Sequence, residues 1–181
     1  MSRPRLCVYC GSSHGSRPSY TAAARELGEA LALAGYDLVY GGGHVGLMGE
    51  VADAALAAGA EVTGVITEHL VEREVMHVGV TDLVIVPDMQ ARKREMFDRA
   101  DAFVALPGGV GTMEELFEVL CWWYLGLHPK PVGILNVDGF YDGLLAYLTR
   151  ATDEGFIGEE LLVVASAVPE LLAALEQIGR S

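Results

Sequence analysis

Short runs of consecutive apolar residues alternate along the whole chain with longer stretches of helical spacing. Leu6-Cys7-Val8-Tyr9-Cys10 opens the series and stops at Gly11-Ser12-Ser13. A helix is predicted over about 20–33, with Ala22, Leu27, Ala30, Leu31 and Ala34 near the 3.6-residue period and Gly35 ending it. Leu38-Val39-Tyr40 then reads as a strand running into Gly41-Gly42-Gly43, and the small residues of 51–60 suit a helix packed closely on a sheet. Further strands are expected at Val62-Thr63-Gly64-Val65-Ile66, Leu83-Val84-Ile85-Val86, Ala102-Phe103-Val104-Ala105-Leu106 and Pro131-Val132-Gly133-Ile134-Leu135. A short seventh falls at Leu161-Leu162-Val163-Val164.

Because these strands are continuously apolar, both their faces should be covered by helices, as in a parallel sheet. Regular alternation of strand and helix means right-handed βαβ units. The expected fold is α/β: a doubly wound, mostly parallel, Rossmann-like sheet with helices on both faces. No linker, low-complexity tract or internal repeat interrupts it, so residues 1–181 are read as a single nucleotide-binding domain. In such sheets a ligand binds beyond the carboxyl ends of the strands, near a switch in strand order.

Composition narrows the classes. With 181 residues, 51% of them apolar, the chain can bury a full core. Its formal net charge of −13 would repel a polyanion, so nucleic acid is not an expected partner. No apolar run approaches the roughly 18 residues of a membrane span. The opening Met1-Ser2-Arg3-Pro4-Arg5 lacks a signal peptide's apolar region, and three cysteines make no disulfide framework. A cytoplasmic location is expected.

Three strands end in glycine-rich turns: Gly11-Ser12-Ser13, Gly41-Gly42-Gly43-His44-Val45-Gly46 and Pro107-Gly108-Gly109-Val110-Gly111-Thr112. Glycine lets backbone approach a ligand, and the helix that follows offers free N–H groups to an anion. Three such turns at one sheet edge point to a phosphate or nucleotide site, with Gly11, Ser12, Ser13, Gly41, Gly42, Gly43 and Gly108 as phosphate-loop candidates. The second turn also fits G-x-G-x-x-G through Gly41, Gly43 and Gly46, with Glu68 roughly 20 residues on. That pattern is common by chance and Glu68 lies past its strand, so dinucleotide binding is the lesser reading. A P-loop motif is missing.

In the third turn, Thr112 is expected as a helix N-cap with Glu115 as its capping-box partner, which puts carboxylates in the first turn. Arg92, Lys93 and Arg94 form the densest positive cluster in an acidic chain. The strand before them is expected to neighbour the 107–115 turn, bringing Arg92 first of the three to an anion. Cys7 and Cys10 should point to opposite faces of their strand. The histidines His14, His44, His69, His77 and His128 show no metal-ligand spacing, and no metal is expected. Trp122, Trp123 and Tyr124 read as core or subunit interface.

These residues together resemble the Lonely Guy (LOG) family of cytokinin riboside 5′-monophosphate phosphoribohydrolases, many of whose bacterial members carry an older lysine decarboxylase label. The likeness runs through Cys7-Val8-Tyr9-Cys10-Gly11-Ser12-Ser13, Leu38-Val39-Tyr40-Gly41-Gly42-Gly43, Gly46-Leu47-Met48-Gly49, Arg92-Lys93-x-x-Met96 and Leu125-Gly126-x-His128-x-Lys130-Pro131. The signature PGGxGTxxE is met without a gap by Pro107, Gly108, Gly109, Val110, Gly111, Thr112, Met113, Glu114 and Glu115.

The resemblance implies hydrolysis of the N-glycosidic bond of a cytokinin riboside 5′-monophosphate or AMP, giving free base and ribose 5-phosphate. It implies Arg92 and Glu115 as the catalytic pair. Substrate would be bound by Glu74, Arg92, Lys93, Gly109, Val110, Gly111, Thr112, Met113, Glu114, Glu115 and Cys121. A homodimer without cofactor or metal is also implied. Gln90, Cys121 and Tyr124 depart from the plant pattern of histidine, threonine and glutamine at these places, which bears on base preference and interface. The alternative is a non-catalytic nucleotide-binding or carrier module of the same fold, against which the Arg92–Glu115 pair argues. Decarboxylation through pyridoxal phosphate would have to use Lys93 or Lys130, the only lysines.

Overall fold

The computed structural model describes residues 3–71, 74–158 and 162–179. Its strands are β1 (Arg5–Tyr9), β2 (Asp37–Tyr40), β3 (Val62–Thr67), β4 (Asp82–Val86), β5 (Ala102–Ala105), β6 (Val132–Leu135) and β7 (Val163–Ala165). Between them run α1 (Pro18–Leu33), α2 (Gly46–Ala57), α3 (Met89–Arg99), α4 (Val110–Tyr124) and α5 (Asp142–Asp153), with α6 (Val168–Gly179) last. All seven strands are parallel, in the order β4-β3-β2-β1-β5-β6-β7. The doubly wound α/β fold expected from the sequence is therefore what forms.

The chain walks outward from β1 to β4, then returns across the sheet to place β5 on the other side of β1. Val8 consequently faces Tyr40 on one side and Val104 on the other. This is the switch in strand order, and beyond it the loops after β1 and β5 lie side by side. The Gly11 N–H donates to the Pro107 carbonyl at 3.0 Å.

The pleat sends alternate residues into two cores. Leu6, Val8, Cys10, Leu38, Tyr40 and Val104 pack with α1, α2 and α6. Cys7, Tyr9, Val39, Val65, Phe103 and Ile134 pack with α3, α4 and α5. Cys7 and Cys10 do point to opposite faces, both as buried free thiols. Gly28 lets α1 and α2 touch closely, since a Cβ there would run into the Val51 carbonyl. The small residues of α2 thus serve a helix-to-helix contact as well as the sheet.

Several local expectations shift. The first helix begins at Pro18 and buries Tyr20, Ala24, Leu27 and Leu31, leaving Ala22 and Ala34 exposed. The second begins at Gly46, inside the glycine turn, and ends at Ala57. β4 is an edge strand whose residues stay partly exposed, so it is not covered on both faces. Of the expected seventh strand, Leu161 lies outside the described residues, and the strand itself is Val163–Ala165. Met1 and Ser2 also lie outside them. Among the described residues no helix is long and apolar enough to cross a membrane.

Candidate active site

A pocket of about 440 Å³ opens beyond the carboxyl edge of the sheet, lined by Ser12, Val45, Leu70, Glu74, Met89, Arg92, Gly111, Glu114 and Glu115. The lining residues come from the loops that follow the strands and from the N-terminal turns of α3 and α4. α3 starts at an Asp88 N-cap whose side chain accepts from the Ala91 N–H at 2.8 Å. One turn in, Arg92 turns towards the sheet and is only 4% exposed.

Arg92 reaches this position by a route other than the one its sequence neighbourhood implied. β4 lies at the far edge of the sheet, with three strands between it and β5, so it does not neighbour the 107–115 turn. Instead α3 crosses the face of the sheet on its way back to β5. Its guanidinium meets the ends of the intervening strands: Nε donates to the Val65 carbonyl at 2.9 Å and Nη2 to the Gly41 carbonyl at 2.7 Å. Nη2 also faces Glu74 Oε2 at 3.5 Å. Two backbone acceptors and a carboxylate keep the buried charge satisfied.

The β5–α4 turn is built without the expected capping box. Gly109 is the N-cap, extended and without a side-chain cap, so Thr112 sits inside the first helical turn. The N–H groups of Val110, Gly111 and Thr112 precede the first helical bond, from the Met113 N–H to the Gly109 carbonyl at 3.1 Å. They form the positive end of α4. Thr112 is buried, and a Cβ on Gly108 would collide with its side chain and crowd the Gly11 nitrogen, so no larger residue fits at 108. Glu114 and Glu115 come after the first turn, not within it.

Glu115 is partly buried on the wall of the pocket. Burial pushes its carboxyl up to about 7; Arg92 pulls the other way, while Glu114 and Glu74 add to the rise. A carboxyl that exchanges its proton near neutrality, beside a fixed guanidinium and a helix N-terminus, suits general acid–base work on an anionic substrate.

The remaining candidates divide. Lys93 is buried and its ammonium binds Glu114 and, at 2.7 Å, Glu118. Burial pulls Lys93 down, but the hydrogen bonds and negative charges of Glu114 and Glu118 together outweigh it and leave its ammonium above the ordinary value. It braces α3 against α4 without lining the pocket. Arg94 is solvent-exposed and pairs with Asp98. Gly109 and Val110 sit at the mouth of the helix, Met113 packs into the second core, and Cys121 is exposed on α4 away from the pocket. Gly41, Gly42 and Gly43 make room for side chains: a Cβ on Gly41 would collide with Arg92 Nη2, and one on Gly43 would crowd Glu74. Gly11 and Ser13 shape the β1 loop beside Ser12. Val45, Leu70 and Met89 leave no mark in the sequence, because an apolar residue carries no chemical signal until a cavity forms around it.

Residues 48–178 match a family described as "Possible lysine decarboxylase". The chain is 51% identical over 176 residues to the cytokinin riboside 5′-monophosphate phosphoribohydrolase LOG7 of Arabidopsis thaliana, covering 96% of this chain and 81% of that protein. It is also 51% identical to the phosphoribohydrolase LOG of Oryza sativa subsp. japonica, over 96% of this chain and 73% of that one. The chain belongs to the LOG family. The family's fold extends to more distant proteins of other description. The molybdenum cofactor binding protein of Rippkaea orientalis superposes with a TM-score of 0.74 at 23% identity, covering 98% of both chains. The Moco carrier protein of Chlamydomonas reinhardtii does so at 0.74 and 24%, covering 97% of both. Those likenesses concern the fold alone. In this LOG family member the signature glycines and Thr112 shape the start of α4, and Glu115 projects from it into the pocket.

Proposed function

We propose that this protein hydrolyses the N-glycosidic bond of nucleoside 5′-monophosphates with adenine-type bases, cytokinin riboside monophosphates and AMP among them. The observation that carries this reading is the meeting of Arg92, Glu74 and Glu115 in one pocket at the N-terminus of α4. The names of relatives at about half identity over nearly the whole chain support it.

The substrate phosphate sits against the N–H groups at the start of α4, and its binding energy fixes the ribose over Glu115. As the C1′–N bond breaks, positive charge builds on the sugar, and the Glu115 carboxylate stabilises it. The same carboxylate orients the water that attacks C1′ and takes its proton, while the base leaves with the electron pair of the broken C1′–N bond and is protonated from solvent. Arg92 holds Glu74 and the ribose side of the pocket, and Glu74 binds a sugar hydroxyl. The pocket's apolar wall of Val45, Leu70 and Met89 receives the base.

The protein works in the cytoplasm as a homodimer in this reading. Phe117, Tyr124 and Leu125 are exposed apolar side chains along α4 and the residue after it, a surface suited to a second copy.

The test is incubation of the pure protein with AMP and with isopentenyladenosine 5′-monophosphate, following free base by chromatography, with the unphosphorylated nucleosides as controls. Base is released from the monophosphates only. Tight binding with no release from any of them would leave a nucleotide carrier instead.

A further inference from the structure

Val75, directly after Glu74, holds a φ of +49°, a left-handed conformation that a β-branched side chain seldom adopts. Such strain persists only where the surroundings over-determine it. Here they do. The His44 N–H reaches the carbonyls of Glu74 at 3.1 Å and Val75 at 2.8 Å, Gly43 bridges to Met76, and the His77 N–H donates to the Gly42 carbonyl at 3.0 Å. The segment carrying Glu74 is thus pinned to the end of β2.

The side chain of His77 finishes the clamp. It is 5% exposed and held at both ring nitrogens. Nδ1 accepts the Gly79 N–H at 3.2 Å, which puts the proton of the neutral ring on Nε2, and Nε2 donates to Asp53 Oδ1 on α2 at 3.0 Å. His44 lies against the His77 ring, centroids 4.2 Å apart, and its Nε2 meets the other Asp53 oxygen at 3.2 Å. Donor atoms of these three side chains fall within 4.8 Å of one another, a spacing that suits a metal ion and that the linear spacing of the histidines concealed. The Gly79 N–H opposes metal binding, because a ligating Nε2 requires the proton on Nδ1.

We propose that Asp53 and His77 are positioning residues: they hold the strained Val75 and so set the Glu74 carboxylate against Arg92 in the substrate pocket. The inference rests on the hydrolase reading above for its kinetic consequence, and on the fold alone for its conformational one.

Asp53 is an exposed helix residue, so Asp53→Ala should fold. It is expected to raise KM for AMP about tenfold with kcat within about twofold, and to speed amide hydrogen exchange across 74–79. Asp53→Asn keeps an oxygen for His77 Nε2–H and stays near wild type. Adding Val75→Gly to Asp53→Ala restores KM, because glycine holds this φ without strain. In a Glu74→Gln background Asp53→Ala has no further effect on KM. Wild-type exchange and wild-type KM in Asp53→Ala would overturn the proposal, as would a KM effect that persists in full without the Glu74 carboxylate. A zinc-dependent rise in Tm that Asp53→Ala abolishes would replace the hydrogen-bonded clamp with a metal site. If wild type releases no base from AMP, the hydrolase reading fails, and the exchange comparison still decides whether the clamp exists.

Discussion

Arg92 donates through Nη2 to the carbonyl oxygen of Gly41 at 2.7 Å, joining two residues 51 positions apart at the floor of the pocket. Glycine at 41 is required by that contact, since a Cβ there would collide with the same nitrogen. Gly41→Ala is therefore expected to push the guanidinium out of its seat and lower kcat/KM by about tenfold or more, the cost of roughly one charged hydrogen bond. Circular dichroism should show the fold retained. Wild-type kcat/KM would mean that Arg92 does not need this seat.

Glu115→Gln removes the charge and keeps the shape. Turnover of AMP should fall by about two orders of magnitude or more, with AMP affinity changing little, because the carboxylate acts on charge that develops only in the transition state. Single-turnover kinetics beside a binding isotherm separate the two. Wild-type turnover would end the proposed mechanism.

The same carboxyl sets a pH dependence. With Glu115 pushed up to about 7 and active as the carboxylate, kcat/KM should climb as pH rises through 7 and level off above it. The substrate phosphate titrates near pH 6, at about that value by its own chemistry, and gives a separate inflection. In Glu115→Gln the upper inflection disappears and the lower one survives.

Stability moves in the opposite sense. Because burial raises Glu115 from 4.5 to about 7, the folded protein binds more protons than the unfolded chain between those values. Its contribution to stability is thus lost as pH rises through about 7. Glu115→Gln should leave the protein more stable than wild type at pH 8, by ~1–3 kcal/mol, and indistinguishable from it in this respect below pH 4.5. Denaturant melts at the two pH values measure the difference.

Thr112 supplies the first turn of α4 with a buried side chain packed on Gly108. Thr112→Ala loosens the phosphate end of the site, so KM for AMP should rise about tenfold while kcat stays within about threefold. A fall in kcat with KM unchanged would assign Thr112 to the chemical step instead.

How much of this was legible beforehand follows from the range of each interaction. The strands could be read because each is a continuous apolar run, and the glycine turns because backbone conformation is a local matter. Arg92 and Glu115 stood out as charged residues just past strand ends. The neighbour assigned to Arg92 was wrong, since β4 is at the sheet edge and α3, not the strand, carries the residue to the site. The capping box failed at Thr112 because the N-cap lies three residues earlier, at Gly109. Leu70, Met89 and the Asp53–His77 clamp left no trace in the linear spacing.

The amino-acid sequence by itself determined the alternation of strand and helix, the parallel sheet and the glycine-rich ends of β1, β2 and β5, since periodicity and φ/ψ preference act within a few residues. Only the tertiary structure decided the strand order, the crossing of α3 over the sheet and the left-handed Val75 held by His77 and Asp53. Those depend on which distant segments bury each other's surface, and burial is also what moves the Glu115 carboxyl to about 7.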